Sequence, residues 1–402
     1  MASRSWLALV VELYLPPDPA GTEVERVARD AFRPLLRLLD RHRGAGVTVA
    51  LDPGLARMLL RHGQAGILQE LAAGVERGQV ELAGGALGHA LLPRLPRSEI
   101  ERQIRLGHEA MAERMGRSWR PQGLLPPALA WSRQVGEVVA NRGMRWVIAD
   151  ELALGRIGLA PRQRVAVLRG KPELHLYFRD RATSRAVASG DAAPLGDEGG
   201  GYRVAVVPGA AFTAGSAAFA QLERLVRGQG PILSTLTALS SAFPDREPHE
   251  PLPSSWRTTP DELAAGIPFA AWSAPDNELQ ALLWRLVGLG LAEAERLARV
   301  AGDDPACTRM RALLDEGLHT APFRFASGRP WWEPAEVRAA AARLGKAFEG
   351  SVELVDPAVR AEAQAIQGRL DAALEAWERH RSADRLRSEP LPSGPAIPEL
   401  AG

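Results

Sequence analysis

For its first 245 residues the chain alternates short apolar runs with amphipathic stretches, and this alternation limits the available folds more than any other feature. "WLALVVELYL" is short, rich in Val and Leu, and closed by Pro16 and Pro17, the pattern of a buried strand. "DAFRPLLRLLDRHRG" then places apolar residues at helical spacing and stops at Gly44 and Gly46. "VTVALDPG", "QVELAGG", "RPQGLL", "RWVIADE", "VAVLRG", "LHLYFRD", "RVAVVPG" and "PILSTLT" continue the strand series. Helical stretches fall between them, among them "RSEIERQIRLGHEAMAERMG", with Ser98 as its N-cap, and residues 132 to 142. Alternating short strands and helices predict a parallel sheet. With about seven or eight strands, a closed barrel is favoured over an open doubly wound sheet.

The texture changes near residue 245. "FPDREPHEPLPSS" reads as a proline-rich linker, and the chain beyond it is helical in pattern: "NELQALLWRLVGLGLAEAERLARV", "EPAEVRAAAARLGKAFE" and "DPAVRAEAQAIQGRLDAALEAWERHR". The expected organisation is an α/β barrel over 1–245, a connecting segment over 246–274, a helical bundle over 275–382 and a disordered tail over 383–402. No internal repeat is visible.

Composition removes several function classes. A net charge of +1 argues against a nucleic-acid binder working by bulk electrostatics. Cys307 is the only cysteine, which excludes an intrachain disulfide and a thiolate metal cluster. The histidines are scattered without an H-x-x-x-H or H-E-x-x-H pair, so no metal site is expected. No glycine-rich phosphate cradle and no G-x-S-x-G elbow occurs, and no cofactor is called for. The apolar run from Trp6 to Val11 is too short for a signal peptide core or a membrane span, which predicts a cytoplasmic protein with no membrane partner.

Several stretches together resemble glycoside hydrolase family 57. "QVELAGGALGHALLPRLP" is similar to the family's second motif region, and "GLLPPALAWSRQVGEVVANRGMRWVIADE" to its third. "LHLYFRDRATSRAVAS" is similar to its F-R-D-x-x-L-S-D segment, while "FAAWSAPDNE" and "FRFASGRPWW" match its C-terminal helical segments. The resemblance covers most of residues 6 to 345. It implies a (β/α)7-type barrel followed by a helical domain, acting on α-linked glucans and related sugars. The matching positions kept here are Glu81, Gly84, Gly85, His89, Asp150, Glu151 and Asp180.

The departures carry the chemistry. The family's nucleophilic glutamate aligns with Ala128, and its general-acid aspartate with Pro208. Glu12 and Tyr14 stand at the two histidines of its N-terminal motif, and Arg185 at the L-S-D aspartate. A retaining glycosidase needs two carboxyl groups about 5–5.5 Å apart, one attacking and one protonating. Loss of a general acid costs about 10²–10⁴ in rate, and loss of the nucleophile removes the covalent route.

Three readings are compatible with this pattern. In the first, the protein is impaired in catalysis and binds an α-glucan or related saccharide through Glu12, Tyr14, His89, Ala128, Trp131, Asp150 and Trp272. The second is an active hydrolase or transglycosylase with relocated carboxylates, for which Glu12, Asp150 and Asp180 are candidates. The third is a structural or partner-binding protein with a filled cleft; a protein partner, a homo-oligomer or a site completed by another chain all remain open. Plain roles stand beside each candidate: a buried ion pair for Glu12, a helix cap for Asp150 or Glu151, a surface ion pair for Asp180, core packing for Trp131, and a structural role for His175.

Overall fold

The computed structural model describes residues 5–16, 19–155, 165–167, 174–191, 201–244, 247–302, 304–328, 332–349 and 354–385. It divides by internal contacts into two units, with the boundary between Arg257 and Thr258, inside the expected connecting segment. The tail expected from 383 onward lies outside the described residues beyond Arg385, where the last helix ends.

In the first unit the strands are β1 (Trp6–Leu13), β2 (Val47–Leu51), β3 (Val80–Ala83), β4 (Gly123–Leu124), β5 (Trp146–Asp150), β6 (Val165–Val167), β7 (His175–Arg179), β8 (Tyr202–Pro208), β9 (Ile232–Ser234) and β10 (Glu247–Pro248). One sheet runs β3–β2–β1–β8, with β9 beside the first half of β1; the other runs β10–β6–β7–β5–β4. Two seams join them. Gly84 N–H donates to Gly123 O (2.7 Å) and Leu125 N–H to Gly84 O (3.0 Å), linking β3 to β4. Across the other seam Asp180 N–H, just past β7, donates to Val204 O of β8 (2.8 Å). The ring β1–β2–β3–β4–β5–β7–β8 is therefore a seven-stranded parallel barrel. β6 is the exception to the expected parallel series: it pairs antiparallel with β7 and stands outside the ring.

Side-chain parity along each strand sorts the interior from the exterior. Leu7, Leu9, Val11 and Leu13 of β1 join Val47, Val49 and Leu51 of β2 in the outer core, where the strands meet the helices. Ala8, Val10, Ala50, Ala83, Leu125, Ile148, Tyr177 and Val204 fill the barrel interior. At the N-terminal end of the strands Glu81 acts as a polar plug. It accepts from Trp146 Nε1 (3.0 Å), Thr48 Oγ1 (3.3 Å) and Thr237 N–H (3.0 Å), and also from Thr237 Oγ1. His175 lies at the same end, with Nδ1 2.9 Å from Ser240 Oγ. Gly123 is required where β4 meets β5, because a Cβ there would stand 2.1 Å from the Trp146 ring and 2.3 Å from its carbonyl oxygen.

Two sequence expectations need correction. Ser98 does not cap its helix: the helix begins at Arg97 behind Pro96, which leaves Ser98 within the first turn. The first helical stretch also starts at Gly21, well before Asp30, and passes through a π-turn at Ala28–Phe32.

The linker reading is revised as well, since residues 250–256 are tied to the barrel. Trp131 N–H donates to Ser254 O (2.8 Å), Ser254 N–H to Trp131 O (3.2 Å), Leu252 N–H to Ala153 O (2.7 Å) and Trp256 N–H to Ala128 O (3.1 Å).

The second unit contains the helices Glu278–Val300, Pro305–Gly317, Thr320–Phe325, Pro334–Glu349 and Pro357–Arg385. Buried Gln280 ties its entry together. It accepts from Ala274 N–H (2.7 Å) and donates to Ala271 O (3.0 Å) and Phe323 O (2.9 Å). Asn277 caps the first of these helices and donates to Ala326 O (2.9 Å). The two C-terminal motif segments, separate in sequence, are thus joined in the fold.

Candidate active site at the barrel mouth

Parity places one polar layer at the C-terminal end of the strands. Glu12 shares the inward face of β1 with Ala8 and Val10, and Asp52 follows Ala50 on that of β2. Asp150 aligns with Trp146 and Ile148 on β5, and Arg179 with Tyr177 on β7. The register sets Pro208 of β8 directly beside Glu12. Asp52 and Arg179 are not among the residues the sequence motifs single out, although the period of two in "VTVALD" and "LYFR" carries the signal.

Glu12, Asp52, Gly85, His89, Leu125 and Pro127 line a small half-open recess with about 20 Å³ of space for the centres of water-sized spheres. Asp52 Oδ1 caps the helix Pro53–Arg61 by accepting from Leu55 N–H (2.9 Å), while Oδ2 lies 3.4 Å from His89 Nδ1. The His89 ring is stacked on Tyr14, with centroids 4.3 Å apart and planes 26° from parallel. His89 has φ +49°, a left-handed conformation uncommon outside glycine. Burial pushes the Glu12 carboxyl above its usual range; His89 and Arg179 oppose that rise, and Asp52 adds to it.

Asp150 is fully buried. Its Oδ1 accepts from Arg181 Nε (2.9 Å) and Leu152 N–H (3.1 Å), and Oδ2 lies 3.6 Å from Arg179 Nη1. Burial raises its pKa against the pull of the two arginines, and lowers that of Arg179. Asp150 therefore serves as the anchor that orders two guanidinium groups at the rim.

The remaining candidates separate from this layer. Asp180, one residue past Arg179, has the opposite parity: its Oδ1 accepts from Thr183 N–H (2.7 Å) as the N-cap of the helix Arg181–Ser189. Arg185 is exposed on that helix. Glu151 is buried in the short turn after β5. Trp131 is fully buried and its indole donates to Pro251 O (3.2 Å), so it packs as core and has no free face for a sugar. Trp272 is buried in the second unit, where its carbonyl accepts from Trp284 Nε1 (2.9 Å).

Ala128 and Leu129, at the centre of the third motif, have φ values of +59° and +48°. Two consecutive left-handed non-glycine residues store strain in this loop. Neither Ala128 nor Pro208 supplies an acid, base or nucleophile. Among the described residues, no group of three or more His, Cys, Asp or Glu side chains could hold a metal ion. No helix among them is long and apolar enough to cross a membrane.

Residues 10–189 match the family model described as Glycosyl hydrolase family 57. Among solved structures, a branching enzyme of that family from Thermococcus kodakaraensis aligns with TM-score 0.67 at 15% identity, over 90% of this chain and 94% of that one. An alpha-amylase from Thermotoga maritima aligns with TM-score 0.64 at 12% identity, over 91% and 97%. A 4-alpha-glucanotransferase from Thermococcus litoralis aligns with TM-score 0.61 at 13% identity; it is longer, and the match covers 85% of this chain and 58% of that one. At these identities the likeness is one of fold. No curated protein matches the chain in sequence. The motifs, the seven-stranded ring and the family match agree, and residues 10–189 of this chain are a glycosyl hydrolase family 57 region.

Proposed function

We propose that this protein binds an α-glucan or a related saccharide in the barrel mouth, in the cytoplasm, with the family's usual covalent route closed. The observation that carries this reading is the polar layer at the C-terminal end of the strands, in which Glu12, Asp52 and His89 line a recess and Asp150 and Arg179 pair on the neighbouring strands, with Pro208 in register beside Glu12. Carboxylates, an imidazole and a guanidinium on a rigid strand framework suit the hydroxyl groups of a sugar. Binding does not require the missing carboxylates, because ground-state affinity and transition-state stabilisation are separable. The solved relatives support the ligand class: one is a branching enzyme in complex with glucose, and others are named an alpha-amylase and a 4-alpha-glucanotransferase.

Calorimetric titration with maltoheptaose tests the reading. Saturable heat that is lost in Arg179→Leu supports it. Absence of binding to maltoheptaose, glycogen and amylose would sink it.

A further inference from the structure

We propose that Gln103 and Gly107, on a helix outside the barrel, are positioning residues of the recess: they hold the loop 84–89 so that the His89 ring stands in the wall a saccharide would meet. For its ligand this rests on the saccharide-binding reading; the placement of the ring does not depend on it.

The helix Arg97–Met115 buries Ile100, Ile104 and Met111, as an amphipathic helix on a barrel should. Glu99, Gln103 and Gly107 lie in the same buried surface at intervals of four, so they form one row along the helix. A carboxylate, an amide and a residue without a side chain add little to an apolar core, and their partners explain why they stand there.

Gln103, fully buried, holds two consecutive amides of the loop. Its main-chain carbonyl accepts from Leu87 N–H (3.0 Å), and its side-chain Oε1 accepts from Gly88 N–H (3.1 Å). Its Nε2 donates to Glu99 Oε1 (2.9 Å), which also accepts from Arg102 Nη1 (3.2 Å). A carboxylate only accepts and a backbone N–H only donates, so these two partners fix which way the Gln103 amide points. Gly107 lets the loop come this close: a Cβ there would stand 2.5 Å from Gly85 O and 3.0 Å from Leu87 N.

The other end of the loop is tied to β4 by the two hydrogen bonds of Gly84. His89 directly follows the second anchored amide and takes φ +49°. That conformation is disfavoured for a residue with a Cβ and persists where the surroundings dictate it. In it the ring stacks on Tyr14 at 4.3 Å, and Nδ1 stands 3.4 Å from Asp52 Oδ2. Gly85, Ala86 and His89 all line the recess, so the placement of this loop sets one of its walls. With an anchor removed, the His89 backbone relaxes and its ring leaves Tyr14.

NMR of the full chain with isotope-labelled histidine reads the ring directly, because stacking on Tyr14 shifts the His89 ring protons; His89→Gln assigns the signal. Gln103→Met keeps the side-chain length and removes both side-chain hydrogen bonds. It should move the His89 signal toward that of an unstacked histidine and leave that of His175, at the opposite end of the strands, in place. Maltoheptaose affinity, by calorimetry on the same samples, should fall about tenfold, the scale of one lost hydrogen bond. Gly107→Ala should do the same, although alanine is the better helix former, because its Cβ displaces the loop. A His89 signal that stays in place in a folded variant of either residue overturns the positioning, whatever happens to affinity. A moved signal with wild-type affinity overturns the part of His89 in saccharide binding. A wild type that binds no maltoheptaose removes the saccharide reading, and the signal alone then decides the positioning. If Gln103→Met does not fold, Gly107→Ala carries the same comparison.

Discussion

At the scale of single residues, the mouth is decided by what one position either side of a strand end does. Arg179 and Asp180 are neighbours in sequence, yet one closes the inward face of β7 and the other caps a helix. Ala128 illustrates a different constraint. Its φ of +59° is a conformation that costs an L-residue about 1–2 kcal/mol and glycine almost nothing. Ala128→Gly should therefore raise stability by up to about 1 kcal/mol, offset in part by the greater freedom of glycine in the unfolded chain; a thermal melt measures this. Glu12 makes a pH prediction whose sign is set by its raised pKa. The folded state holds the proton to higher pH than the unfolded chain, whose value is near 4.5. The resulting stabilisation is full below that value and is lost as pH rises through the raised folded value. Denaturant titrations across this window should show Glu12→Gln gaining stability relative to the wild type as pH rises. A constant difference would mean that Glu12 has no raised pKa.

At the scale of elements, strands end in residues that start the next helix. Asp52, Asp180 and Thr235, each the residue directly after a strand, all accept a backbone N–H as N-caps. This economy explains why acidic residues after strands are ambiguous in the sequence: a cap and a mouth ligand share one composition and one position. Asp52 serves as both, Asp180 as a cap. Asp180→Ala should thus destabilise the barrel by about 1 kcal/mol, the usual cost of a lost cap, and leave maltoheptaose affinity unchanged in calorimetry. Reduced affinity would return Asp180 to the site. The segment 250–256 shows the opposite ambiguity. Its prolines and serines signal a linker, yet its backbone pairs with Trp131, Ala153 and Ala128. Proline content reports the lack of regular structure and says little about whether backbone groups find partners elsewhere.

At the scale of the whole molecule, two units each have an organising polar centre. In the first it is Glu81 with Trp146, Thr48 and Thr237; in the second it is Gln280 with Ala271, Ala274 and Phe323. Truncating a buried hydrogen-bonding side chain leaves its partners unsatisfied. Gln280→Ala should cost about 2–3 kcal/mol and register in calorimetry as a lowered transition of the helical unit, because three backbone groups lose their partner. An unchanged scan would show that the hub is not needed. The sequence by itself determined the alternation of strand and helix, the barrel class, the change of texture before the helical unit and the absence of side-chain chemistry at Ala128 and Pro208. These are local or compositional properties, readable from apolar periodicity and residue type. Only the tertiary structure decided that β6 leaves the ring, that Trp131 is core, and that Asp52 rather than Asp180 meets the recess beside His89 and Glu12. Those outcomes depend on which strands pair and which face of each strand closes inward, and on contacts between residues tens of positions apart, which no local pattern encodes.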